Sequence, residues 1–193
     1  ALYDPSTDRF RFSRIEPWMP NGLPGVYLGE LYQDQRGMIW GATFKGHVYF
    51  DPDNTFFQTL LPDNHPAAPT TQLQSADMAE RPDGKQWLAT REGLYLYDPV
   101  TDQTLRRYVN QPGLPPVLYN NSIRSVCLDK SGNLWVATVS GLNRMRPGQE
   151  RFDFLDEKDG IPTGTNYMCV RQTRGGTIWL ADFSDTGHHY LLP

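Results

Sequence analysis

Histidine is the side chain most able to move protons or hold a metal near neutral pH, and this sequence has four: His47, His65, His188 and His189. His188 and His189 are neighbours, so on a strand they point to opposite faces and do not readily share one metal. No His-x-x-x-His, Cys-x-x-Cys or carboxylate cluster at ligand spacing accompanies them. There is no Gly-x-Ser-x-Gly elbow, and Gly22-Leu23-Pro24-Gly25 contains proline and is no phosphate cradle. A different chemistry is better represented. Trp18, Tyr27, Tyr119, Asn120, Asn121, Asn166 and Tyr167 lie in or beside segments containing Gly-Leu-Pro or Gly-Ile-Pro. Lys45, Arg91, Glu92, Asp182 and Asp185 lie at or just after the ends of tryptophan-containing runs. Aromatic faces beside amide, carboxylate and guanidinium groups suit a sugar or another polar small molecule, held by hydrogen bonds and not transformed. No catalytic residue, metal or cofactor is expected.

Those tryptophan-containing runs organise the chain. Trp40, Trp87, Trp135 and Trp179 each sit three residues after a Gly and two before an Ala, at intervals of 47, 48 and 44 residues. Gly46, Gly93 and Gly141 follow six residues after the first three of them, and Pro52, Pro99 and Pro147 twelve residues after. A fixed period of this length marks a repeat architecture. In the clearest copy, Ile123 to Leu128 is an apolar alternation, Lys130-Ser131-Gly132-Asn133 is turn chemistry, and Leu134-Trp135-Val136 is a β-rich run. Each unit reads as four short antiparallel strands in about 46 residues, one blade of a β-propeller. The expected fold is therefore all-β, with about four blade equivalents in a single region spanning 1–193. The units fall approximately at 1–14 (partial), 15–60, 61–109, 110–156 and 157–193 (partial). Residues 1–12 resemble the end of a unit and are expected to supply the fourth strand of a blade, in phase to complete the last one. Two ring sizes follow: a closed four-bladed ring, or part of a larger one.

Composition narrows the function. The formal charge is -4 with mixed signs and no basic block, which excludes a nucleic-acid footprint. No apolar run approaches the ~18 residues of a membrane span. No signal peptide or initiator Met is present, so the chain reads as a mature or excised piece. Cys127 and Cys169 read as buried thiols behaving as small hydrophobes, with a disulfide the alternative in an exported protein. Each repeat Trp is expected to pack between blades, with the Ala two residues later kept small for close approach. Asp34 and Asp129, one turn before a Trp, are expected to accept hydrogen bonds from turn N–H groups. They belong to different blades and are not a catalytic pair.

The run Ser122-Ile123-Arg124-Ser125-Val126, then Asp129-Lys130-Ser131-Gly132-Asn133-Leu134-Trp135-Val136-Ala137-Thr138, then Gly141-Leu142-Asn143-Arg144 resembles the two-component regulator propeller repeat. The likeness extends over nearly the whole chain and is weakest in the last unit, where Asp182 replaces Thr. It implies the extracytoplasmic sensor region of a bacterial hybrid histidine kinase or related receptor, with a seven-bladed ring in the parent. It also implies a periplasmic or extracellular location; the residues named above suit a small-molecule or oligosaccharide ligand, and an open arc would expose apolar faces of its terminal blades that invite self-association or dimerisation. Propeller architecture brings the loops entering the innermost strands to the same rim as the loops joining second and third strands, which gathers the polar and aromatic residues named above. A lyase resembling streptogramin B lyase, with a His and a metal at the mouth, is the enzymatic alternative. A protein-binding scaffold is the third.

Overall fold

The computed structural model describes residues 2–11, 28–44, 46–60, 75–183 and 189–192. A hairpin of β1 (Leu2–Asp4) and β2 (Arg9–Arg11) comes first. Three four-stranded antiparallel sheets follow. Blade one is β3 (Leu28–Gln33), β4 (Ile39–Thr43), β5 (Gly46–Asp51) and β6 (Asn54–Leu60). Blade two is β7 (Ser75–Glu80), β8 (Gln86–Thr90), β9 (Gly93–Asp98) and β10 (Gln103–Tyr108). Blade three is β11 (Ile123–Leu128), β12 (Leu134–Thr138), β13 (Gly141–Met145) and β14 (Asp153–Leu155). Blade four has three described strands, β15 (Tyr167–Gln172), β16 (Ile178–Asp182) and β17 (His189–Leu192). The chain is an all-β propeller segment of meandering blades. The first hairpin forms a two-stranded sheet of its own, β1 pairing antiparallel with β2. Its connection from Asp4 to Arg9 is short: Asp8 takes a positive φ of 51° and Asp4 Oδ1 accepts from Ser6 N at 3.0 Å.

The turn between first and second strands is the same in every blade. Gly37, Gly84, Gly132 and Gly176 take φ values of 84°, 79°, 82° and 98°, a region a side chain disfavours. In blade three Gly132 N donates to Asp129 O and Asp129 N to Asn133 O, both at 2.9 Å. Asp129 does more than accept from the turn. Its Oδ1 takes Ser131 N and Asn133 N, while Oδ2 takes Asn133 Nδ2 and Trp135 Nε1, the last two at 2.8 Å. Asp34 does the same in blade one, accepting from Arg36 N, Met38 N, the Arg36 guanidinium and Trp40 Nε1. Burial pushes both carboxyls up, but the indole, side-chain and backbone donors outweigh it and hold both below the ordinary carboxylate value. Arg81 and Thr173 occupy this position in blades two and four.

The core lies between blades, because each sheet presents apolar residues on both faces. Trp40 meets Leu88, Tyr95 and Tyr97 of blade two. Trp87, Ala89 and Leu94 meet Ile123, Val126 and Val136 of blade three. Trp135, Ala137 and Leu142 meet Tyr167, Val170 and Leu180 of blade four. The same Trp face therefore points toward the following blade each time. Trp40, Trp87 and Trp135 are 0, 3 and 6% exposed, whereas Trp179, on the last blade, is 44% exposed.

Every first strand carries an irregularity in its pairing with the second, between Leu28 and Leu31, Ser75 and Asp77, Ile123 and Ser125, and Tyr167 and Cys169. These bulges add a residue to the first strand and break its period-two alternation.

Candidate functional site

Among the described residues, the rim at the bulged ends of the first strands is built by the entry loops of blades three and four and by the connections that follow Thr90 and Thr138. Threonine makes these connections tight: Thr43, Thr90 and Thr138 Oγ1 donate to Gly46, Gly93 and Gly141 O at 2.7, 2.9 and 2.9 Å. The entry loop of blade three is knitted by amides. Asn110 Oδ1 accepts from Val117 N and Leu118 N, and Asn121 Oδ1 accepts from Asn110 N. Asn120 Oδ1 accepts from Ser122 N at 2.8 Å, and its Nδ2 donates to Ser140 Oγ at 3.1 Å. Tyr119 packs edge-on against Phe154 and its hydroxyl donates to Leu155 O at 2.9 Å. Its ring lies so close to Gly141 that a Cβ there would stand 2.6 Å from it. Tyr167 is fully buried and donates to Pro162 O at 3.1 Å.

These bonds sort the residues singled out from the sequence. Tyr119, Asn120, Asn121 and Tyr167 have their polar groups engaged in holding the rim's own loops and core. Trp18, Tyr27 and Lys45 lie outside the described residues. Arg91, Asn166 and Asp182 are half-buried at the rim. The Asn166 carbonyl accepts from Phe183 N at 2.9 Å, while its Oδ1 is buried with no hydrogen-bond partner. The structure adds residues that sequence reasoning missed. The position directly after the second strand is Phe44, Arg91, Val139 and Phe183 in the four blades, and the two phenylalanines are 47 and 77% exposed. An apolar ring at a loop start was the available signal. Arg124, in the bulge of β11, is the other.

A groove follows the first strands nearer the opposite rim. This groove of about 360 Å³ is lined by Leu31, Tyr32, Asp77, Glu80, Cys127 and Arg171, among others. Asp77 is its hub: Oδ2 accepts from Ser125 Oγ at 2.8 Å, Val126 N at 3.0 Å and Arg171 at 2.8 Å. Ser125 Oγ in turn accepts from Val170 N at 3.2 Å. Two side chains thus reach across to the open backbone edge of the next first strand and tie blades two, three and four together. His47 donates through Nε2 to Asp77 O at 3.1 Å; burial lowers its pKa to about 4, so it is neutral. A neutral, fully buried imidazole bonded to a carbonyl is poorly placed for acid–base work. His65 and His188 lie outside the described residues. Among the described residues no three His, Cys, Asp or Glu stand where they could hold a metal, and Cys127 and Cys169 are free thiols.

Residues 120–140 match the family model described as two component regulator propeller. That stretch, the first strand, turn and Trp strand of blade three, is where the chain is similar to that family. No curated protein matches the chain in sequence. Among solved structures the chain is similar to the extracellular domain of BT4673 from B. thetaiotaomicron, described as a hybrid two component system. The TM-score is 0.70 at 21% identity, over 90% of this chain and 22% of that one. It is equally similar to the extracellular domain of BT3049 from the same organism, also described as a hybrid two component system. There the TM-score is 0.70 at 18% identity, over 98% of this chain and 25% of the other. Virginiamycin B lyase from Staphylococcus aureus is similar at a TM-score of 0.60 and 12% identity, over 89% of this chain and 57% of the lyase. The chain thus spans a quarter or less of those two extracellular domains, and the likeness is one of fold. Among the described residues no helix is long and apolar enough to cross a membrane.

Proposed function

We propose that this chain is part of the sensing region of a bacterial signal-transduction receptor, lies outside the cytoplasm, and binds an oligosaccharide without transforming it. The observation that carries this reading is the pair of exposed phenylalanines, Phe44 and Phe183, at equivalent loop positions of one rim. Exposed aromatic rings set among a few fixed polar groups are the usual furniture of a small-molecule site. The exposed parts of the two rings offer apolar surface to the C–H faces of sugar rings. The similar structures that are extracellular domains of two component systems support the signalling role. By linkage, the ligand must favour the signalling arrangement over the resting one.

The test is thermal melting of the chain against a panel of neutral and acidic oligosaccharides, with mass spectrometry of each recovered ligand. A ligand at 100 times its dissociation constant should add roughly 2.7 kcal/mol of stability. The expected result is an upward shift with the ligand recovered intact, lost when Phe44 and Phe183 are both changed to Ala. Recovery of a cleaved or eliminated product would replace this reading with the lyase. No shift across the panel would replace it with a protein-binding scaffold.

A further inference from the structure

Arg144 stands opposite Trp135 in the pairing of β12 with β13, and its guanidinium lies over the indole, 5.5 Å from the ring centroid. The residues opposite Trp40, Trp87 and Trp179 are Tyr49, Leu96 and Leu191, none of them charged. Tyr49 covers its tryptophan by stacking, with centroids 4.9 Å apart, so covering the ring does not require a cation. Arg144 is also incompletely paired. One terminal nitrogen donates to Asp153 Oδ2 at 3.3 Å, an oxygen that Arg146 also contacts at 3.1 Å. Its Nε is buried with no hydrogen-bond partner. A buried donor without an acceptor is costly, and this one belongs to a residue that lines a cavity.

That cavity, of about 300 Å³, lies between the turns of blades three and four and shares no lining residue with the Asp77 groove. Its volume is at the small end of ligand pockets, which start at about 300 Å³. Leu155, Ile161 and Ile178, all buried, give it an apolar wall. Two carboxylates also line it. Asp129 is saturated by its turn and indole donors. Asp159 is exposed at the end of the one-turn helix Glu157–Asp159. Its Oδ2 accepts from Asp156 N at 3.2 Å, and among the described residues it forms no ion pair. Glu157 and Lys158, on the same turn, do not line the cavity.

The cavity therefore combines a guanidinium short of one acceptor, a carboxylate without a cation, and an apolar wall. We propose that it binds a free α-amino acid with an aliphatic side chain, such as leucine. The ligand's carboxylate accepts from Arg144, whose fork suits two oxygens. Its ammonium donates to Asp159, and its side chain lies against the apolar wall. A zwitterion adds no net charge and pairs both ionic groups, which neither a simple anion nor a sugar does. The site shares no residue with the rim that carries Phe44 and Phe183, so it does not rest on the oligosaccharide reading.

The experiment is calorimetric titration of the 193-residue chain with leucine, with leucinamide, which lacks the carboxylate, with isocaproic acid, which lacks the ammonium, and with glucose. It is repeated for Arg144→Tyr, which installs the blade-one residue, and for Asp159→Asn, which keeps an acceptor for Asp156 N. Leucine should bind the wild type. Leucinamide and isocaproic acid should each bind about ten- to a hundred-fold more weakly, one charge-assisted contact being lost. Arg144→Tyr should abolish leucine binding yet melt no lower than the wild type. Asp159→Asn should weaken leucine by the same factor and leave isocaproic acid unchanged. If isocaproic acid or leucinamide binds as tightly as leucine, the two-charge site is wrong. Binding of glucose in place of leucine, or of none of the four probes, overturns the proposal too. Lower melting of Arg144→Tyr without a loss of leucine binding would make the arginine purely structural. Changing both Phe44 and Phe183 to Ala should leave leucine binding intact, and a loss would move the site to the other rim.

Discussion

Asp129→Ala should be among the more damaging single changes in the turn of blade three. The carboxylate is 8% exposed and accepts from two backbone N–H groups, the Asn133 amide and the Trp135 indole. The Ser131 and Asn133 donors lie on an exposed turn, where water can replace the lost acceptor. The Trp135 indole is 6% exposed, within the interface between blades three and four, so its N–H would be left without a partner. An orphaned buried donor costs about 1–3 kcal/mol, and loosening the turn adds about 1 kcal/mol. A loss of about 3 kcal/mol lowers the melting temperature by roughly 6–12 °C in a chain of this size. Melting followed by circular dichroism gives the shift, and a cycle with Trp135→Phe isolates the indole contact, for which a coupling of about 1–2 kcal/mol is expected. The variant should also lose part of the protein's acid sensitivity. The folded carboxyl lies below its unfolded value, so its contribution is present above about pH 4 and disappears as pH falls through the folded value. A melting temperature within about 2 °C of the wild type, or no coupling to Trp135, would refute this account and leave the turn glycine as the sole determinant.

Two other changes test the blades against one another, because the repeat supplies its own controls. Gln86 is fully buried with both side-chain polar atoms unpartnered, where the other blades place Ile39, Leu134 and Ile178; Gln86→Leu should raise stability by about 1–2 kcal/mol in denaturant unfolding, and a loss would show that the amide has a partner. His47 stands where blades two and three place Leu94 and Leu142. Its folded pKa of about 4 lies below the unfolded value, so the unfolded chain takes up the proton first and stability falls as pH drops from about 6.5 toward 4. His47→Leu should flatten melting temperature against pH in that window, and an unchanged slope would assign the dependence to other groups.

The period of the tryptophans was legible because interblade packing imposes one demand at one register. A large apolar residue on the second strand must reach the following blade, and an Ala two residues on must let it approach. The turn carboxylates were legible for the same reason, although their bond to the indole was not. Linking Asp129 to Trp135 requires knowing that both side chains fold to one side of the hairpin, which composition does not state. The rim was harder to read. Tyr119, Asn120 and Asn121 have the chemistry of a sugar site, yet their polar groups hold a proline-rich entry loop in shape. Asparagine serves backbone and ligand with the same atoms, so residue type alone does not separate the two uses.

Arg124 escaped notice for a reason that the strand itself carries. A regular strand puts residues two apart on one face, yet Ile123 and Val126, and likewise Tyr167 and Val170, are three apart and pack on the same side. A repeated apolar pair at i and i+3 within a six-residue strand is incompatible with period two, and an added residue is the simplest way to reconcile it. That pattern was present in the sequence twice, and it marks the place where each blade takes one residue out of its core alternation near the rim. The stiffness of the propeller and the variability of its mouth are then consequences of one device. Tryptophan, alanine and the turn glycine fix how blades stack, while the bulge leaves a position that is free to be alanine in one blade, methionine in another and arginine in a third. If the rim discriminates among ligands, the bulge residue and the first residue after the second strand are positions at which the blades differ: Ala76, Arg124 and Met168 at the one, Phe44, Arg91, Val139 and Phe183 at the other.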